Sequence, residues 1–255
     1  RRYDNLRQVL AELADPVLVL LGPPGSGKST LLRRLELELA SEGLRHEGAG
    51  ISFFVSLNGY RHEGAAESRP DPWAWLCARW TARYPALPAL ERLVAEQPTW
   101  LLLDALNEMP HRDAAQFRDL VADWRAFIQN LSQDHPGCRV LFSCRSLDYS
   151  APLSTPALRV PQVSVEPLSD DRLRQLLRLY DPGQGEALWE QLSGTPELEI
   201  LRTPFYLRLY VDSAEGPERP TERAQLITEF VRRSLRAEIE RDHPLLRPGK
   251  LLLQR

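Results

Sequence analysis

The segment Gly22-Pro23-Pro24-Gly25-Ser26-Gly27-Lys28-Ser29, followed by Thr30, fits the pattern GxxxxGK[ST] at every position. Phosphate chemistry asks for these residue types at this spacing. Gly25 and Gly27 can take backbone conformations closed to other residues, so successive N–H groups can turn inward around an anion. A helix beginning at Lys28 presents its N-terminus to the same anion. Lys28 adds a full positive charge that reaches terminal phosphates, and Ser29 offers a hydroxyl to Mg²⁺. The ligand implied is a nucleoside triphosphate with Mg²⁺. ATP is favoured over GTP, because the chain has no NKxD motif to read guanine. The bland alternative is a chance match in a glycine-containing turn, against which stands the context: a buried strand before the loop and an amphipathic helix after it.

A second cluster lies at Trp100-Leu-Leu-Leu-Asp104, an apolar run ending in a carboxylate, followed by Ala105-Leu106-Asn107-Glu108. A strand-end aspartate in a protein with such a loop holds Mg²⁺ directly or through water. An acid a few residues later can orient and deprotonate an attacking water. Asp104 suits the first role and Glu108 the second, with Asn107 as a polar helper near water or the magnesium shell. A helix cap or plain loop residue is the alternative for each. A third cluster is Val140-Leu-Phe-Ser143-Cys-Arg145. Ligands of open parallel sheets sit beyond the carboxyl ends of the strands, so Ser143 and Arg145 would face the phosphates. There Arg145 could contact a γ-phosphate and report its presence; the alternative is an ion pair with Asp148 or a helix cap.

These groups need elements to carry them. Pro16–Leu21, Ile51–Leu57, Trp100–Leu103, Arg139–Cys144 and Arg159–Val165 read as strands, several of them continuous apolar runs expected of strands buried on both faces. Helical periodicity covers residues 3–14, 28–42, 73–83, 90–96 and 113–133, and residues 58–72 read as a polar loop with Gly and Pro. Alternating strands and helices argue for an α/β fold with a parallel five-stranded sheet flanked by helices. After Pro167 the pattern changes to helices alone, near 169–180, 184–193, 197–202, 205–214 and 221–241. The expected organisation is a P-loop nucleotide-binding domain with an N-terminal helix over 1–166, a small helical domain over 167–216, and a connecting helix leading into the start of a winged-helix domain over 217–255.

The 255 residues suffice for a sizeable core, and the net charge of −3 gives no electrostatic reason for nucleic acid or an acidic membrane as main partner. No apolar run approaches the roughly 20 residues that span a bilayer. Cys77, Cys138 and Cys144 have neither metal-ligand nor disulfide spacing, which points to buried thiols in a reducing cytoplasm. Trp73, Trp75 and Trp80 could form a partner surface, but aromatic rows at helical spacing are more often core. The chain begins at Arg1 and reads as part of a longer protein.

The three clusters occur in an order that resembles the NACHT branch of the STAND ATPases, in the wider AAA+ group and nearest to bacterial members. The residues that carry the resemblance are GPPGSGKST, LLLDALNEMP and VLFSCRSLDYS, with Leu201-Arg-Thr-Pro204-Phe-Tyr-Leu207 and Thr221–Glu240 farther on. The resemblance implies Arg145 in the sensor position and Pro204 packed against adenine; a simple helix break is the other reading of that proline. It implies Ala105 where relatives carry glycine, and Asn107 where many carry aspartate, one acid fewer near Mg²⁺. None of His46, His62, His111, His135 or His243 has the context of the histidine that touches the β-phosphate in many members. What the resemblance implies in function is a switch. An ADP-bound form is closed and monomeric; ATP opens it into a homo-oligomer that gathers effector domains, with a sensor domain in the same longer chain, often in antiphage defence. A cycling AAA+ motor or DNA-associated loader, a small-molecule kinase and a non-enzymatic scaffold share the phosphate loop and stand as alternatives.

Overall fold

The computed structural model describes residues 1–46, 50–61 and 70–212, together with Ala224, Gln225, Ile227, Thr228, Val231 and Arg232. These last six are helical, while the rest of the helix expected over 221–241, the winged-helix start, most of the polar loop 58–72, His62 and His243 lie outside the described residues.

Contacts divide the chain into Arg1–Val165 and Glu166–Arg255. The first unit holds strands β1 (Val17–Gly22), β2 (Ile51–Ser56), β3 (Thr99–Asp104), β4 (Cys138–Arg145) and β5 (Gln162–Ser164). They form one sheet in the order β2-β3-β4-β1-β5, and every neighbouring pair is parallel. The order steps from β2 back toward β1 and then passes beyond it, so β1 lies between β4 and β5. Parallel strands with long crossovers bury both faces. β1 is buried at all six positions.

Side chains alternate across the sheet with period two, and β1 to β4 each feed two cores. Val17, Val19, Phe53, Leu101, Leu103, Val140 and Phe142 join the core that also holds Trp75, Trp80 and Trp124. Leu18, Leu20, Phe54, Leu102 and Leu141 join the core on the other face with Leu32, Leu35 and Leu39. The first of these cores is covered by α3 (Pro72–Arg83), α4 (Leu90–Glu96) and α5 (Ala114–Asp134); the second by α1 (Leu6–Glu12) and α2 (Lys28–Gly43). Helix starts follow local chemistry. Asp71 accepts from the Ala74 N–H at α3, and Asp113 from the Ala115 and Gln116 N–H groups at α5, which satisfies amides that the helices leave unpaired. Trp124 is fully buried among Tyr60, Trp75, Phe127 and Phe142. Trp75 and Trp80 are core residues, and the half-buried Trp73 stacks on Phe127.

β5 is shorter than the sequence pattern suggests. It is preceded by Pro161, which has no N–H for a ladder, and it pairs only with β1 at residues 162–164.

The second unit contains α6 (Asp170–Tyr180), α7 (Gly185–Leu192), α8 (Glu197–Leu201) and α9 (Pro204–Asp212) around Leu173, Leu177, Leu188, Leu201, Leu207 and Tyr210. Arg202 joins its segments: it donates to the Leu168 carbonyl at 2.9 Å and pairs with Asp170 and Glu199, both at 2.8 Å. Glu186, held by Arg174 and Arg178, has its carboxyl lowered to about 2. Among the described residues no helix is long and apolar enough to cross a membrane.

Burial pushes the thiols of Cys138 and Cys144 up, to about 12 and about 11. Because the thiolate is the nucleophile, iodoacetamide at pH 8 is expected to label these two residues only when denaturant is added. Mass spectrometry of the digested protein checks this; fast labelling of either under native conditions would contradict their burial.

Candidate functional site

The parallel register brings the ends of three strands level. Gly22 of β1 lies beside Arg145 of β4. Leu103 of β3 lies beside Phe142, so the next residues, Asp104 and Ser143, are also neighbours. The phosphate loop and the two polar clusters of the sequence therefore meet at the carboxyl edge of β1, β4 and β3.

Between Gly22 and α2 the backbone makes a tight loop. Gly25 and Gly27 have φ of 75° and 90°, where a side chain is strained. At Gly27 a Cβ would touch nothing within 4 Å, so its backbone angle alone calls for glycine. At Gly22 space is the limit: a Cβ would sit 2.6 Å from Ser26 Oγ. Gly27 caps α2 without a side-chain bond, so the first amides of the helix keep no intrahelical partner. Pro23, Pro24 and Gly25 are exposed, Ser26 is buried, and Ser29 and Thr30 are exposed on the first turn of α2. The Lys28 ammonium folds over the loop, donating to the carbonyls of Gly22 (2.9 Å) and Pro23 (3.0 Å) and to Ser26 Oγ (3.5 Å). Its pKa is lowered by burial and then by Arg145, against the pull of Asp104, Cys144 and Glu108. A polyphosphate fits this cradle: unpaired amides, a helix N-terminus and a half-buried cation face one loop.

Asp104 is only 7% exposed, and a buried carboxylate needs partners. Its Oδ1 accepts a hydrogen bond from Ser143 Oγ at 2.5 Å, and Ser143 Oγ accepts in turn from the Ala105 N–H at 2.9 Å. A buried carboxylate beside the phosphate loop, with a hydroxyl on the first turn of α2, suits Mg²⁺, a hard cation bound through one or two carboxylates and phosphate oxygens. Ala105 has φ 62° and ψ 57°, and is the one non-glycine residue with positive φ among the described residues. That conformation costs an L-residue about 1 kcal/mol or somewhat more. Leu106 and Met109, each 1% exposed, pin the turn that follows, and Asn107 and Glu108 are left at the surface between them.

Arg145 closes the cluster. Its backbone N–H donates to Asn107 Oδ1 at 3.1 Å, and its guanidinium meets Glu108 Oε1 at 2.8 Å, with the two side chains 44% and 40% exposed. The pair weighed from sequence, Arg145 with Asp148, is not the one formed. Asp148 instead accepts from Asn107 Nδ2 at 3.1 Å. Each end of the Asn107 amide thus makes one bond to the β4 exit.

Gly22 through Thr30, Asp104, Glu108 and Arg145 all lie along one sheet edge. Pro204 belongs to the helical unit, where it opens α9 as its first residue and does not interrupt a helix. Sequence reasoning missed the bond of Ser143 to Asp104 and the conformation of Ala105. The available signals were a lone serine inside the apolar run of β4, and an alanine where the family resemblance implies glycine.

Two stability predictions follow from this geometry. Ala105→Gly relieves the backbone strain and is expected to be neutral or stabilising by up to about 1 kcal/mol, while the β-branched Ala105→Val costs more than about 1 kcal/mol. Thermal melts decide, and clear destabilisation by glycine would refute the strain. Asn107→Asp sets a carboxylate against Asp148. It should cost about 0.5–1 kcal/mol, and little when combined with Asp148→Asn. Denaturant titrations of the single and double variants test it; an equal loss in both would count against like-charge repulsion.

Comparison with known proteins agrees with this geometry. Residues 16–182, about two thirds of the chain, match the NACHT domain family. In fold the chain is similar to a chain of the E. coli MS115-1 HORMA:CdnC:Trip13 complex, with TM-score 0.50 and 16% identity over 88% of this chain and 76% of that one. No curated protein matches it in sequence. The phosphate loop, Asp104, Glu108 and Arg145 all fall inside the matched span, and the chain belongs to the NACHT family of nucleotide-binding P-loop NTPases.

Proposed function

We propose that this chain is an ATP-driven switch module, which binds ATP with Mg²⁺, hydrolyses it slowly and uses the bound nucleotide to control oligomerisation and signalling. The observation that carries the proposal is the ion pair between Arg145 and Glu108 at 2.8 Å, within electrostatic reach of Lys28. It joins the proposed γ-phosphate sensor to the proposed base. Lys28 and the loop amides of Gly22–Thr30 hold the phosphates, exchanging bonds to loop carbonyls for bonds to phosphate oxygens. Ser29 and Asp104 would hold Mg²⁺, which would supply charge neutralisation to the phosphates. Glu108 takes the proton of the water whose oxygen attacks the γ-phosphorus as the bond to the β-phosphate breaks.

The pair also supports slow turnover. A terminal phosphate competes with Glu108 for Arg145, and the ion pair has to open before either group can act on the nucleotide. Pro204 is assigned to the adenine, on the family resemblance. The same resemblance supplies the setting: a cytoplasmic homo-oligomer in the ATP state, effector and sensor domains in the same longer chain, and bacterial antiphage defence.

Phosphate release by wild type and by Glu108→Gln is the direct test, with a drop of about a hundredfold expected. In size-exclusion chromatography with light scattering, the full-length protein with ATP, Mg²⁺ and its trigger should form a larger species, which Glu108→Gln prolongs. Equal hydrolysis rates would remove the assigned role of Glu108. A persistent monomer would sink the switch, and fast continuous turnover with salt-sensitive DNA binding would select a cycling motor instead.

A further inference from the structure

Asp104 is held by a relay that the nucleotide chemistry described above does not use. The register of β3 and β4 sets Ser143 beside it, and side chains at matching positions of parallel strands leave the sheet on the same face. Both residues are buried, Asp104 at 7% and Ser143 at 1% exposure. Their oxygens are 2.5 Å apart, in the range of a charge-assisted O–H···O⁻ bond. The Ser143 hydroxyl donates its one hydrogen to Asp104 Oδ1, while its oxygen accepts from the Ala105 N–H at 2.9 Å. The Ala105 amide stands at the head of the turn, where the backbone becomes left-handed. Two hydrogen bonds therefore link the backbone to one oxygen of one carboxylate.

We infer that Ser143 is a positioning residue that fixes the orientation in which Asp104 is offered to a divalent cation. Mg²⁺ demands near-ideal octahedral geometry at about 2.0–2.1 Å, so a carboxylate free to rotate about its last bond is a weaker ligand than one whose plane is set. With Oδ1 tied to Ser143, the plane is set and the remaining lone pairs face a fixed direction. Ser143 is level with Leu20 of β1 as well as with Asp104, so the hydroxyl sits at the centre of the sheet edge and not on its rim. Groups that orient a metal ligand in this way typically change metal affinity by about 10–100-fold when removed.

The inference rests on the reading of this edge as a Mg²⁺–nucleotide site, and the test separates the two. Calorimetry would give the affinity of a non-hydrolysable ATP analogue in Mg²⁺ and in EDTA for wild type, Ser143→Ala, Ser143→Thr and Asp104→Asn. The expected result is a Mg²⁺-dependent gain in affinity for wild type that falls by about tenfold in Ser143→Ala. It is kept in Ser143→Thr, which retains the hydroxyl, and is lost in Asp104→Asn, while the Ser143 variants match wild type in EDTA. Ser143→Cys, close in size but a weak donor, substitutes if the alanine variant fails to fold. If Ser143→Ala keeps the full gain while Asp104→Asn loses it, the positioning role is wrong and the site reading stands. If Ser143→Ala weakens binding equally with Mg²⁺ and EDTA, the residue is structural only and the inference falls. If wild type gains nothing from Mg²⁺, the site reading fails and this inference with it.

Discussion

The backbone ladder that joins β1, β4 and β3 in parallel is the constraint on which the site depends. Parallel strands all finish at the same edge, and their register decides which residues finish together. Here Gly22 meets Arg145, and Asp104 meets Ser143. A slip of one residue in β4 would turn Ser143 to the opposite face and place Cys144, a buried apolar thiol, against Asp104. The register is secured by burial, since each strand sends alternate residues into separate cores on its two faces and a slip would exchange the two sets. The chemistry at the edge is thus specified largely by hydrophobic residues that never touch it.

Much of this could be read from the chain. β1 and β3 are largely continuous apolar runs because both faces of a parallel sheet are covered, and such runs are visible without a structure. β5, a three-residue edge strand behind Pro161, carries too little pattern to set its bounds. The phosphate loop is local in sequence, so its glycines and lysine announced themselves. The pairings at the edge are different in kind. Whether Arg145 reaches Asp148, three residues on, or Glu108, 37 residues back, depends on where the turn after β3 places its side chains, and that turn is set by the buried Leu106 and Met109 and the left-handed Ala105. None of these is a charge or a motif. The amide of Asn107 likewise reads as a free polar group in sequence, and becomes a clamp between two strand exits only in three dimensions.

The turn after β3 also shows how a small departure from a family pattern is absorbed. Alanine at 105 keeps a conformation that suits glycine because its neighbours over-determine it. Its N–H is bonded to Ser143, its carbonyl accepts from the Glu108 N–H at 2.9 Å, and the residues on either side are buried. Strain at this point is held by the same contacts that orient Asp104 and present Glu108, so the backbone and the charged groups form one mechanical unit.

The charges gathered at this edge have a kinetic consequence. Lys28 and Arg145 contribute two positive charges, Asp104 and Glu108 two negative ones, and these four formal charges cancel. A cancelled set of charges projects little field beyond a Debye length, about 8 Å in physiological salt. An anionic ligand would therefore gain little long-range guidance from these four groups, and its arrival would respond only weakly to ionic strength. Their charges become available only at contact, once a ligand separates Arg145 from Glu108. Recognition by these four groups is short-range by construction.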